Sequence, residues 1–555
     1  MATGFKQAGT SEARHTAAGP VSAKRPLRQR TRWLVAGSGL VAGVAMAACF
    51  GTSESQCLDS QECGPGTGAS GTGGSGAQGG GGTGGGIPAG CIPSELAPSE
   101  APADDCGVFV SSSQGNDTNG TGSKATPYAT IGHAVQAGAH VIYACTDGFN
   151  EAVTLPAGTR LYGGLDCTHA WHYVGAQTNT PLTAPADSVP LTLAAGSGTT
   201  HVEDMDVTAA PAVAVGGSSI AVIANGVTAE IVGSGITAGD GKAGQSSQSQ
   251  GPDAGLDGND GAAGSWQAQG VCNQAAAQYD GGAGGPKTCA DSTVVSGGNG
   301  GNGTNGTTGD VGQEGQPPTA DTTGDGGPGQ PSGAGSCGQG QQGANGTVGP
   351  SGLGATAIGT LDGTGYHGAD GTAGQTGVHG QGGGGGGGGH ECQANSNFAG
   401  PSGGGGGSGG CGGAGGGAGK AGGSSIALVS VSASVTLTAC TVTTAAGGSG
   451  GDGVPGQAGG IGAFNTADPG GAGACAGGMG GSGGPGGPGG GGHGGHSVGI
   501  AFDGGTAPVT TDTTFSVGAF GPGGAGGTTP DLDGDAGLPC QTLDFAQGAA
   551  SCVSP

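Results

Sequence analysis

The sequence predicts an all-β fold in which short strands form a solenoid and long glycine-rich insertions interrupt it. Three observations lead to this prediction. Apolar runs of strand length recur about every ten residues from residue 108, one apolar unit is repeated twice further along the chain, and glycine supplies 145 of the 555 residues. Short strands at such even spacing are typical of all-β solenoids, sandwiches and barrels, and the repeat favours the solenoid.

The first 48 residues have the layout of an export signal. Residues 1–32 carry seven basic residues and one acidic residue, and the 16 residues at 33–48 carry no charge. A membrane-spanning helix needs roughly 20 apolar residues, which is longer than this run. We therefore expect a cleaved signal peptide rather than a permanent membrane span.

The end of this segment reads Met46-Ala47-Ala48-Cys49 and resembles the lipobox of bacterial lipoproteins. In that family the cysteine is acylated and becomes the mature N-terminus. The resemblance implies a lipid anchor at Cys49, in an outer membrane or at the cell surface. Met46 stands where the family usually has leucine, and Ala45-Met46-Ala47 also fits the A-x-A cleavage pattern of soluble exported proteins. Secretion without an anchor is therefore the alternative.

Acidic residues dominate the chain beyond the export signal. The whole chain has 12 basic and 38 acidic residues, a net charge of −26. Removing residues 1–48 takes away seven of the basic residues and one acidic residue, which leaves a net charge of −32. Nucleic-acid binding requires several cations to neutralise phosphates, and the remaining scattered lysine and arginine residues cannot form such a patch. The composition therefore excludes a nucleic-acid partner.

Fifteen cysteines follow Cys49, which predicts disulfide bonds in an exported chain. No C-x-x-C pair occurs, so a zinc site is the weaker interpretation. The odd count leaves at least one thiol free, intermolecular or paired with an unlipidated Cys49. Spacing alone does not fix the connectivity. The close pairs that are candidates are Cys57 with Cys63, Cys91 with Cys106, Cys145 with Cys167, Cys272 with Cys289, and Cys540 with Cys552.

A characteristic order of strand and loop motifs follows Cys106. It consists of Val-Phe-Val at 108–110, an Asn/Gly loop at 115–122, Thr-Pro at 126–127 before an amphipathic segment at 130–137, and Leu-Tyr-Gly-Gly-Leu-Asp at 161–166. Over residues 104–175 this order resembles the beginning of right-handed parallel β-helix (pectin-lyase-like) surface proteins. The resemblance implies that fold, with a short helix over the open end of the solenoid. It implies no chemistry.

One apolar unit occurs three times. Ser-Ser-Ile-Ala-Val-Ile at 218–223 is echoed by Ser-Ser-Ile-Ala-Leu-Val at 424–429 and, more loosely, by Ser-Val-Gly-Ile-Ala-Phe at 497–502. Each unit is too short to bury its own apolar face, so we expect the units to stack on one another. The glycine tracts between them would then be insertions that leave one region of a shared β-helix.

These features divide the chain into alternating parts. Residues 50 to about 90 are so rich in glycine, serine and threonine that they predict a flexible tether. The predicted parts are a signal peptide at 1–48, the tether at 49–103, the first β-helix part with its capping helix at 104–238, glycine-rich insertions at 239–422 and 447–496, further β-helix repeats at 423–446 and 497–520, and a C-terminal tail at 521–555.

Glycine holds every third position at 297–315 and again at 368–380. Collagen has the same period but needs at least about 15–20% proline and hydroxyproline, whereas this chain has only 30 prolines. Two alternatives stay open: extended segments packed side by side as in polyglycine II, and mobile loops. We expect the eight consecutive glycines at 382–389 to be mobile in either case.

In composition the glycine tracts resemble the repeats of mycobacterial PE-PGRS proteins. The characteristic helical N-terminal domain of that family is missing here, and a lipobox-like signal stands in its place. A closer similarity is to glycine-rich β-helix surface lipoproteins of social soil bacteria. Both resemblances concern composition and architecture, and neither implies a ligand.

No set of residues in the sequence forms a reaction mechanism. Arg160 is the only arginine beyond the export signal, and we expect a structural or solvent-facing role for it within a strand. Gly492-His493-Gly494 matches one of the four motifs of polygalacturonase-like hydrolases. The R-x-K motif of those enzymes is missing from the mature chain, so we interpret the match as chance.

Two weak metal signals remain. Asp531, Asp533 and Asp535 alternate as calcium ligands do, but Thr542 stands at the twelfth loop position, where calcium loops carry a bidentate acid. The alternative is an acidic turn. Five histidines could recruit a transition metal, but their glycine surroundings fix no geometry, so we expect solvated side chains. These are His367, His379, His390, His493 and His496.

As a whole, the sequence favours a non-catalytic structural or adhesive lipoprotein of the cell surface, which would contact extracellular polysaccharide or matrix through many polar groups. The alternative is a carbohydrate-active β-helix enzyme, a polysaccharide lyase or hydrolase, because that fold hosts such enzymes. A third hypothesis is an ice-binding or surface-binding protein. No cofactor is predicted apart from the weak calcium site.

Overall fold

The structure is a computed structural model, and it describes residues 88–97, 100–175, 178–266, 278–306, 308–332, 335–391, 398–464 and 467–555. Several predicted features lie outside these residues: the export signal, the predicted lipidation site Cys49, the candidate cysteine pair Cys57 and Cys63, and most of the predicted tether. Among the described residues, no helix has the length and apolar character that crossing a bilayer requires.

Strands make up most of the regular structure in the described residues, which confirms the all-β prediction. The helices there are α1 (Ile131–Gln136) and the 3₁₀ turns Ala89–Cys91, Pro93–Glu95, Asp104–Cys106, Cys167–His169, Ala254–Leu256, Pro530–Leu532 and Ala549–Ser551. The strands are β1 (Val108–Val110), β2 (Val141–Cys145), β3 (Phe149–Asn150), β4 (Val153–Leu155), β5 (Arg160–Asp166), β6 (His172–Tyr173), β7 (Thr180–Thr183), β8 (Leu191–Leu193), β9 (Thr199–Glu203), β10 (Met205–Thr208), β11 (Ser219–Asn225), β12 (Thr228–Val232), β13 (Gly235–Thr237), β14 (Gln278–Tyr279), β15 (Gly303–Thr304), β16 (Thr360–Asp362), β17 (Gly365–His367), β18 (Ser425–Val431), β19 (Ser434–Thr438), β20 (Thr441–Thr443), β21 (Ser497–Asp503), β22 (Val509–Thr511), β23 (Thr514–Ser516) and β24 (Pro539–Asp544).

Three parallel sheets contain nearly all of these strands. Sheet A has the order β1-β2-β5-β9-β12-β19-β22, with β6 added antiparallel to β5. Sheet B has the order β3-β7-β10-β13-β20-β23, and sheet C has the order β4-β8-β11-β18-β21-β24. From β2 onward the chain visits the sheets in the repeating order A, B, C, so each new set of three strands lies beside the previous set.

The three sheets share one apolar core. Buried side chains from all three pack into a single cluster, in which Leu161 of sheet A, Leu182 of sheet B and Leu191 of sheet C are fully buried. Strands of two to seven residues cannot each bury a face alone, so this shared core stabilises them only as a stack. Helix α1 joins the same core through Ile131 and Ala134.

Side-chain hydrogen bonds fix the point at which helix α1 begins. Thr130 is its N-cap, and the Thr130 hydroxyl accepts a hydrogen bond from the backbone N–H of His133. The Glu151 carboxylate accepts hydrogen bonds from the first two backbone N–H groups of the helix, at 2.8 and 2.9 Å. These bonds satisfy donors that no helical carbonyl can reach.

The repeated apolar units pair directly with one another. Ile220 of β11 lies opposite Ile426 of β18, and Ile426 lies opposite Val498 of β21. The pairs Ser219/Ser425 and Ser425/Ser497 keep the same register. The stacking expected from the internal repeat is therefore present.

All three long glycine-rich excursions leave the strands at the same place. They follow the sheet B strands β13, β20 and β23, and they return to the sheet C strands β18, β21 and β24. This agrees with insertions that leave one region of a shared stack. We call the described residues of these three excursions, outside β14 to β17, the glycine block.

Segments of the glycine block are joined by backbone hydrogen bonds in steps of three residues. The N–H groups of Gly371, Gly374, Gly377 and Gly380 donate to the carbonyls of Gly419, Gly416, Gly413 and Gly410, so these two segments run antiparallel. The N–H groups of Gly410, Gly413, Gly416 and Gly419 donate in turn to Gly481, Gly484, Gly487 and Gly490, so that pair runs parallel. A step of three indicates extended chains with three residues per turn.

The expectation that residues 382–389 are mobile is wrong. All eight glycines are buried, and all eight N–H groups donate to backbone carbonyls at 2.8–3.0 Å. Their acceptors lie in the segments 310–316, 338–341 and 401–407, and their carbonyls accept from 298–304, 327–330 and 475–478. Six neighbouring segments thus surround this run.

The number of neighbours explains the glycine pattern. In a chain with three residues per turn, successive residues point in three directions, so each direction that faces packed neighbours requires a small residue at every third position. A Cβ on Gly384, Gly385 or Gly386 would overlap the carbonyl oxygen of a different segment in each case. A central segment therefore needs glycine at every position, whereas a peripheral segment such as 343–353 needs it only at every third.

Candidate functional site

The outer surface of the glycine block carries the side chains that its interior excludes. In the segment 343–353, the glycines donate to the carbonyls of Met479, Ser482, Pro485 and Pro488. The residues between them face outward, and Val348 and Leu353 are 60% and 67% exposed. Side chains one turn apart on such a segment repeat about every 9.3 Å, because three residues rise by about 3.1 Å each. The block is thus a fixed support for regularly spaced surface groups.

A stack of aromatic rings lies on the outer side of sheet A. The ring centroids of Phe109 and Tyr143 are 4.9 Å apart, those of Tyr143 and Tyr162 are 5.6 Å apart, and Tyr162 lies 5.3 Å from His201. The four residues come from β1, β2, β5 and β9. The strand register pairs Phe109 with Tyr143 and Tyr143 with Tyr162, and the sequence signal for the stack is one aromatic residue in each of Val-Phe-Val, Val-Ile-Tyr and Arg-Leu-Tyr.

Residues 91–106 cover part of this stack. The Tyr143 hydroxyl donates to the Cys91 carbonyl at 2.6 Å, and Ile92, Ala101 and Cys106 pack against the same cluster. A disulfide between Cys91 and Cys106 closes the covering segment. The rings therefore serve as a second apolar core rather than as an open platform for a ligand.

Two neighbouring carboxylates at the edge of this cluster form the strongest candidate for acid–base chemistry. The Tyr173 hydroxyl donates to Asp204 at 2.6 Å, and His201 Nε2 lies 2.8 Å from the Glu203 carboxylate. Burial raises the pKa of Asp204 to about 6. Burial also acts to raise the pKa of Glu203, but hydrogen bonds, led by that from His201, outweigh it and lower that pKa.

Oppositely shifted carboxylates are what general acid and base roles require. In this structure, however, Glu203 and Asp204 are only 6% and 3% exposed. Neither residue lines the surface groove described below. Their geometry fits a buried polar network as well as it fits a catalytic pair, and sequence analysis gave no signal for them.

The expectation of solvated histidines is wrong for the pair nearest the third repeat. His493 and His496 are 2% and 0% exposed. His496 lies between the glycine block and sheet C, where its Nδ1 accepts from the Leu538 N–H and its Nε2 lies 2.8 Å from the Ile358 carbonyl. Both ring nitrogens therefore have protein partners, and burial lowers the pKa of His496 to about 4.

The other three histidines occupy mixed surroundings. His367 is exposed and pairs with Asp362 at 3.0 Å, as the sequence led us to expect. His379 is largely buried, with Nε2 2.9 Å from Asp291 and Nδ1 accepting from the Gly412 N–H. His390 is half-buried, and its Nδ1 has no hydrogen-bond partner among the described residues.

Five disulfides join described cysteines. Three of them link the candidate pairs Cys91/Cys106, Cys145/Cys167 and Cys540/Cys552. The candidate pair Cys272/Cys289 is wrong, because Cys289 is bonded to Cys411 across 122 residues. The fifth bond joins Cys337 to Cys475. The two long-range bonds connect segments that meet only through folding of the glycine block, so sequence spacing could not suggest them.

The remaining candidate disulfide lies near the start of the mature chain. Cys57 and Cys63 both lie outside the described residues. The pairing of Cys57 with Cys63 therefore stays a prediction from spacing alone.

The described part of the chain offers two compact groups of metal-ligating side chains, and each contains a disulfide. These groups are Cys289/His379/Cys411 and Cys145/Asp147/Cys167, with ligand atoms within 4.8 Å of one another. Metal ions bind cysteine as the thiolate. In the oxidised chain neither group therefore presents a sulfur ligand. Cys440, the free cysteine of the described residues, is buried.

The aspartates of the weak calcium prediction belong to neither of these groups. Asp531 lies in a 3₁₀ turn, and the Asp533 carboxylate accepts from the Gly526 N–H at 2.6 Å. The Asp535 backbone bonds to Ala355 and Gly494 of the glycine block. The structure thus gives this segment a packing role and adds no support for a calcium site.

The two remaining enzyme-related residues lie apart from each other. Arg160 begins β5 in sheet A and is half-buried, opposite Val141 and His201 in the strand register. His493 of the Gly-His-Gly motif lies in the glycine block. The structure therefore brings together no set of predicted catalytic residues among those described.

Comparison with known proteins assigns no relative to this chain. No protein-family model, no curated protein and no solved structure matches it.

Proposed function

We propose that this protein is a non-catalytic structural or adhesive protein of the cell surface, built to hold many polar contact groups in fixed positions. The observation that carries the proposal is the glycine block. Its central segments use every residue for backbone packing and expose no side chains, while its peripheral segments present side chains at regular intervals. Such a block is suited to multivalent contact, where fixed geometry lowers the entropic cost of binding.

The proposed architecture is a right-handed parallel β-helix with a polyglycine-II-like block. The repeating strand order over sheets A, B and C supports the helix. The three-residue hydrogen-bond register supports the block. Parallel strand stacking and polyglycine packing are compatible because the pairing of β18 with β21 continues into the block. The backbone N–H of Ser425 donates to the His496 carbonyl, and three residues earlier the N–H of Gly422 donates to the His493 carbonyl.

We also propose that the chain is exported and held at the membrane through an acylated Cys49. The disulfides support an oxidising compartment, where such bonds persist. With a whole-chain net charge of −26, the surface repels polyanions and favours neutral or cationic partners. Extracellular polysaccharide or matrix of that kind is the proposed contact.

The test is to incubate the purified chain with a panel of acidic and neutral polysaccharides. Retention and release of shorter fragments are measured in the same samples. We expect retention on neutral members of the panel and no fragments. Release of fragments would contradict the non-catalytic proposal, and failure of every polysaccharide to retain the chain would contradict the adhesive part.

The second candidate is a carbohydrate-active enzyme, and the oppositely shifted carboxylates Glu203 and Asp204 favour it. If the panel released fragments, Asp204→Asn would decide whether this pair is responsible. An amide keeps the hydrogen bond from Tyr173 but cannot transfer a proton. Loss of product formation at unchanged retention would assign the chemistry to Asp204, whereas unchanged product formation would exclude it.

A further inference from the structure

A polar groove of about 550 Å³ lies on the side of the glycine block. Three neighbouring segments form it, and two exposed apolar side chains, the larger Val311 and the small Ala283, lie among the polar ones. Its polar side chains are Asp280, Asn299, Asn302, Asp310 and Gln313. Three glycines, Gly281, Gly300 and Gly301, also line the groove, so backbone forms part of its surface.

Backbone and side-chain hydrogen bonds hold the amide groups of this groove in place. The Oδ1 atom of Asn302 accepts from the Gly281 N–H at 2.9 Å, and that of Asn299 accepts from the Gly284 N–H at 2.8 Å. Asn299 Nδ2 donates to Gln313 Oε1 at 3.0 Å. Because each of these amide oxygens is fixed from the protein side, the amide groups of Asn302 and Gln313 retain N–H donors for a ligand.

The two aspartates supply acceptors beside these donors. Asp280 and Asp310 are exposed, and no lysine or arginine among the described residues forms an ion pair with either. A sugar hydroxyl both donates and accepts, so a wall that alternates amide donors with carboxylate acceptors matches its chemistry. Val311 adds an apolar contact of the kind that the C–H faces of sugar rings use.

The spacing of the groups favours an extended chain as ligand. Asn299 and Asn302 lie one turn apart on one segment, and Asp310 and Gln313 lie one turn apart on the next. One turn is about 9.3 Å long, comparable with a disaccharide unit of an extended β-linked glycan. The net charge of −26 and the two groove aspartates disfavour uronic acid and sulfated chains.

We infer that this groove binds an extended neutral glycan, with Asn302, Asp310 and Gln313 as its principal hydrogen-bonding residues. The inference rests on the proposed adhesive function and locates its contact site. It requires no bond chemistry, because the ligand is held by hydrogen bonds and one apolar contact.

The experiment uses the full chain and titrates it calorimetrically with cellohexaose and N-acetylchitohexaose, with oligogalacturonate as the acidic comparison. We expect one or both neutral hexasaccharides to bind, and the acidic one to bind at least tenfold more weakly. The variant Asn302→Ala/Asp310→Ala should weaken neutral binding at least tenfold. Asp310→Asn keeps the shape of the side chain but replaces the carboxylate acceptor with an amide, and it should weaken binding of the neutral hexasaccharides several-fold.

Asn345→Ala is the matched control. Asn345 lies in the glycine block outside the groove, and its Oδ1 accepts from the Ser482 N–H at 2.8 Å, as Asn302 accepts from Gly281. Both variants therefore lose an equivalent structural bond, and Asn345→Ala should bind within twofold of the unmodified chain. Urea midpoints of all variants show whether folding is retained.

The outcomes separate this inference from the proposed function. If the polysaccharide panel retains the chain but the groove variants bind as tightly as the unmodified chain, the groove assignment is wrong and adhesion stands. If neither neutral hexasaccharide binds while polysaccharide retention persists, the groove is again not the contact site. If the panel retains nothing, the adhesive function itself fails and the inference falls with it.

Discussion

At the scale of the residue, glycine in this protein is a packing requirement rather than a source of flexibility. Residues 382–389 contact six neighbouring segments, and no direction remains in which a side chain would fit. The cost of glycine is conformational entropy, which folding must offset at each such position. Here backbone hydrogen bonds to neighbouring segments and close packing of the main chain offset this loss of conformational entropy.

Gly386→Ala tests this requirement directly. The added Cβ would overlap the carbonyl oxygen of Cys475, and backbone on both sides cannot move without breaking the hydrogen-bond rows. We expect the free energy of unfolding to fall by about 3 kcal/mol or more, at the upper end of overpacking effects. The measurement is urea denaturation followed by circular dichroism.

Gly251→Ala is the control for that substitution, because a Cβ there meets no atom within 4 Å. It should leave stability unchanged or raise it slightly, since alanine reduces the entropy of the unfolded chain. Equal stability of the two variants would contradict the packing role of the eight glycines.

Burial of His496 makes the stability of the fold depend on pH in the acidic range. Its folded pKa of about 4 lies below the ordinary histidine value of about 6.5, so the unfolded chain binds a proton that the folded chain excludes between these values. Its contribution is fully present above pH 6.5 and is lost as pH falls toward 4, by about 3 kcal/mol. Asp204 acts in the opposite sense, because its raised pKa favours the folded state as pH falls from about 6.

His496→Gln should therefore reduce the loss of stability between pH 7 and pH 4.5. Glutamine can accept from Leu538 and donate to Ile358 without taking up a proton. His367→Gln, at an exposed histidine, is the control for loss of an imidazole and should change the pH profile less than His496→Gln does. An identical acid sensitivity of His496→Gln and the unmodified chain would show that burial of this imidazole does not set the profile.

At the scale of the element, short strands and long excursions stabilise one another. The sheet C strands β18, β21 and β24 each receive a returning excursion, and parallel pairing continues from the strands into the block. The repeat of Ser-Ser-Ile-Ala made this pairing predictable, because identical units must share a register. The paired aromatics of sheet A were available in the sequence as well, but only the structure shows which residues cover them.

Disulfides also connect elements, and the loops closed by Cys289–Cys411 and Cys540–Cys552 differ about tenfold in length. Removing the Cys289–Cys411 bond by Cys289→Ser/Cys411→Ser should lower the free energy of unfolding by about 5 kcal/mol, because the bond closes a loop with a sequence separation of 122. Removing Cys540–Cys552, with a separation of 12, should cost about 3 kcal/mol. Urea titrations under oxidising conditions compare the two, and a larger loss for the short loop would contradict this ranking.

At the scale of the whole molecule, the even spacing of apolar runs predicted an all-β chain, the glycine tracts predicted insertions, and the internal repeat predicted where strands stack. The interior of the glycine block was not predictable in the same way. Glycine runs give no hydrophobic pattern from which packing could be predicted. Instead, the number of glycines in every three positions indicates whether a segment is central or peripheral in the block. Runs such as 382–389 indicate central segments, and isolated glycines at a period of three indicate peripheral ones.

The same limit applies to the candidate site. The sequence offered histidines and aspartates as metal ligands, whereas the structure buries His493 and His496 and uses Asp533 to bind backbone. The sequence did not predict the groove residues Asn302 and Asp310 as a site, because they lie in different segments that only the glycine block brings together. Backbone pairing between glycine-rich segments involves no side chains, so local sequence patterns do not predict which segments become neighbours.

The central claim is that the glycine block is an ordered support, and native-state hydrogen exchange tests it most directly. The amides of residues 382–389 are followed beside those of strands β18 and β21. We expect these glycine amides to exchange as slowly as the strand amides, because each is buried and hydrogen-bonded to a neighbouring segment. Complete exchange of residues 382–389 within seconds at neutral pH, while the strands stay protected, would contradict the account.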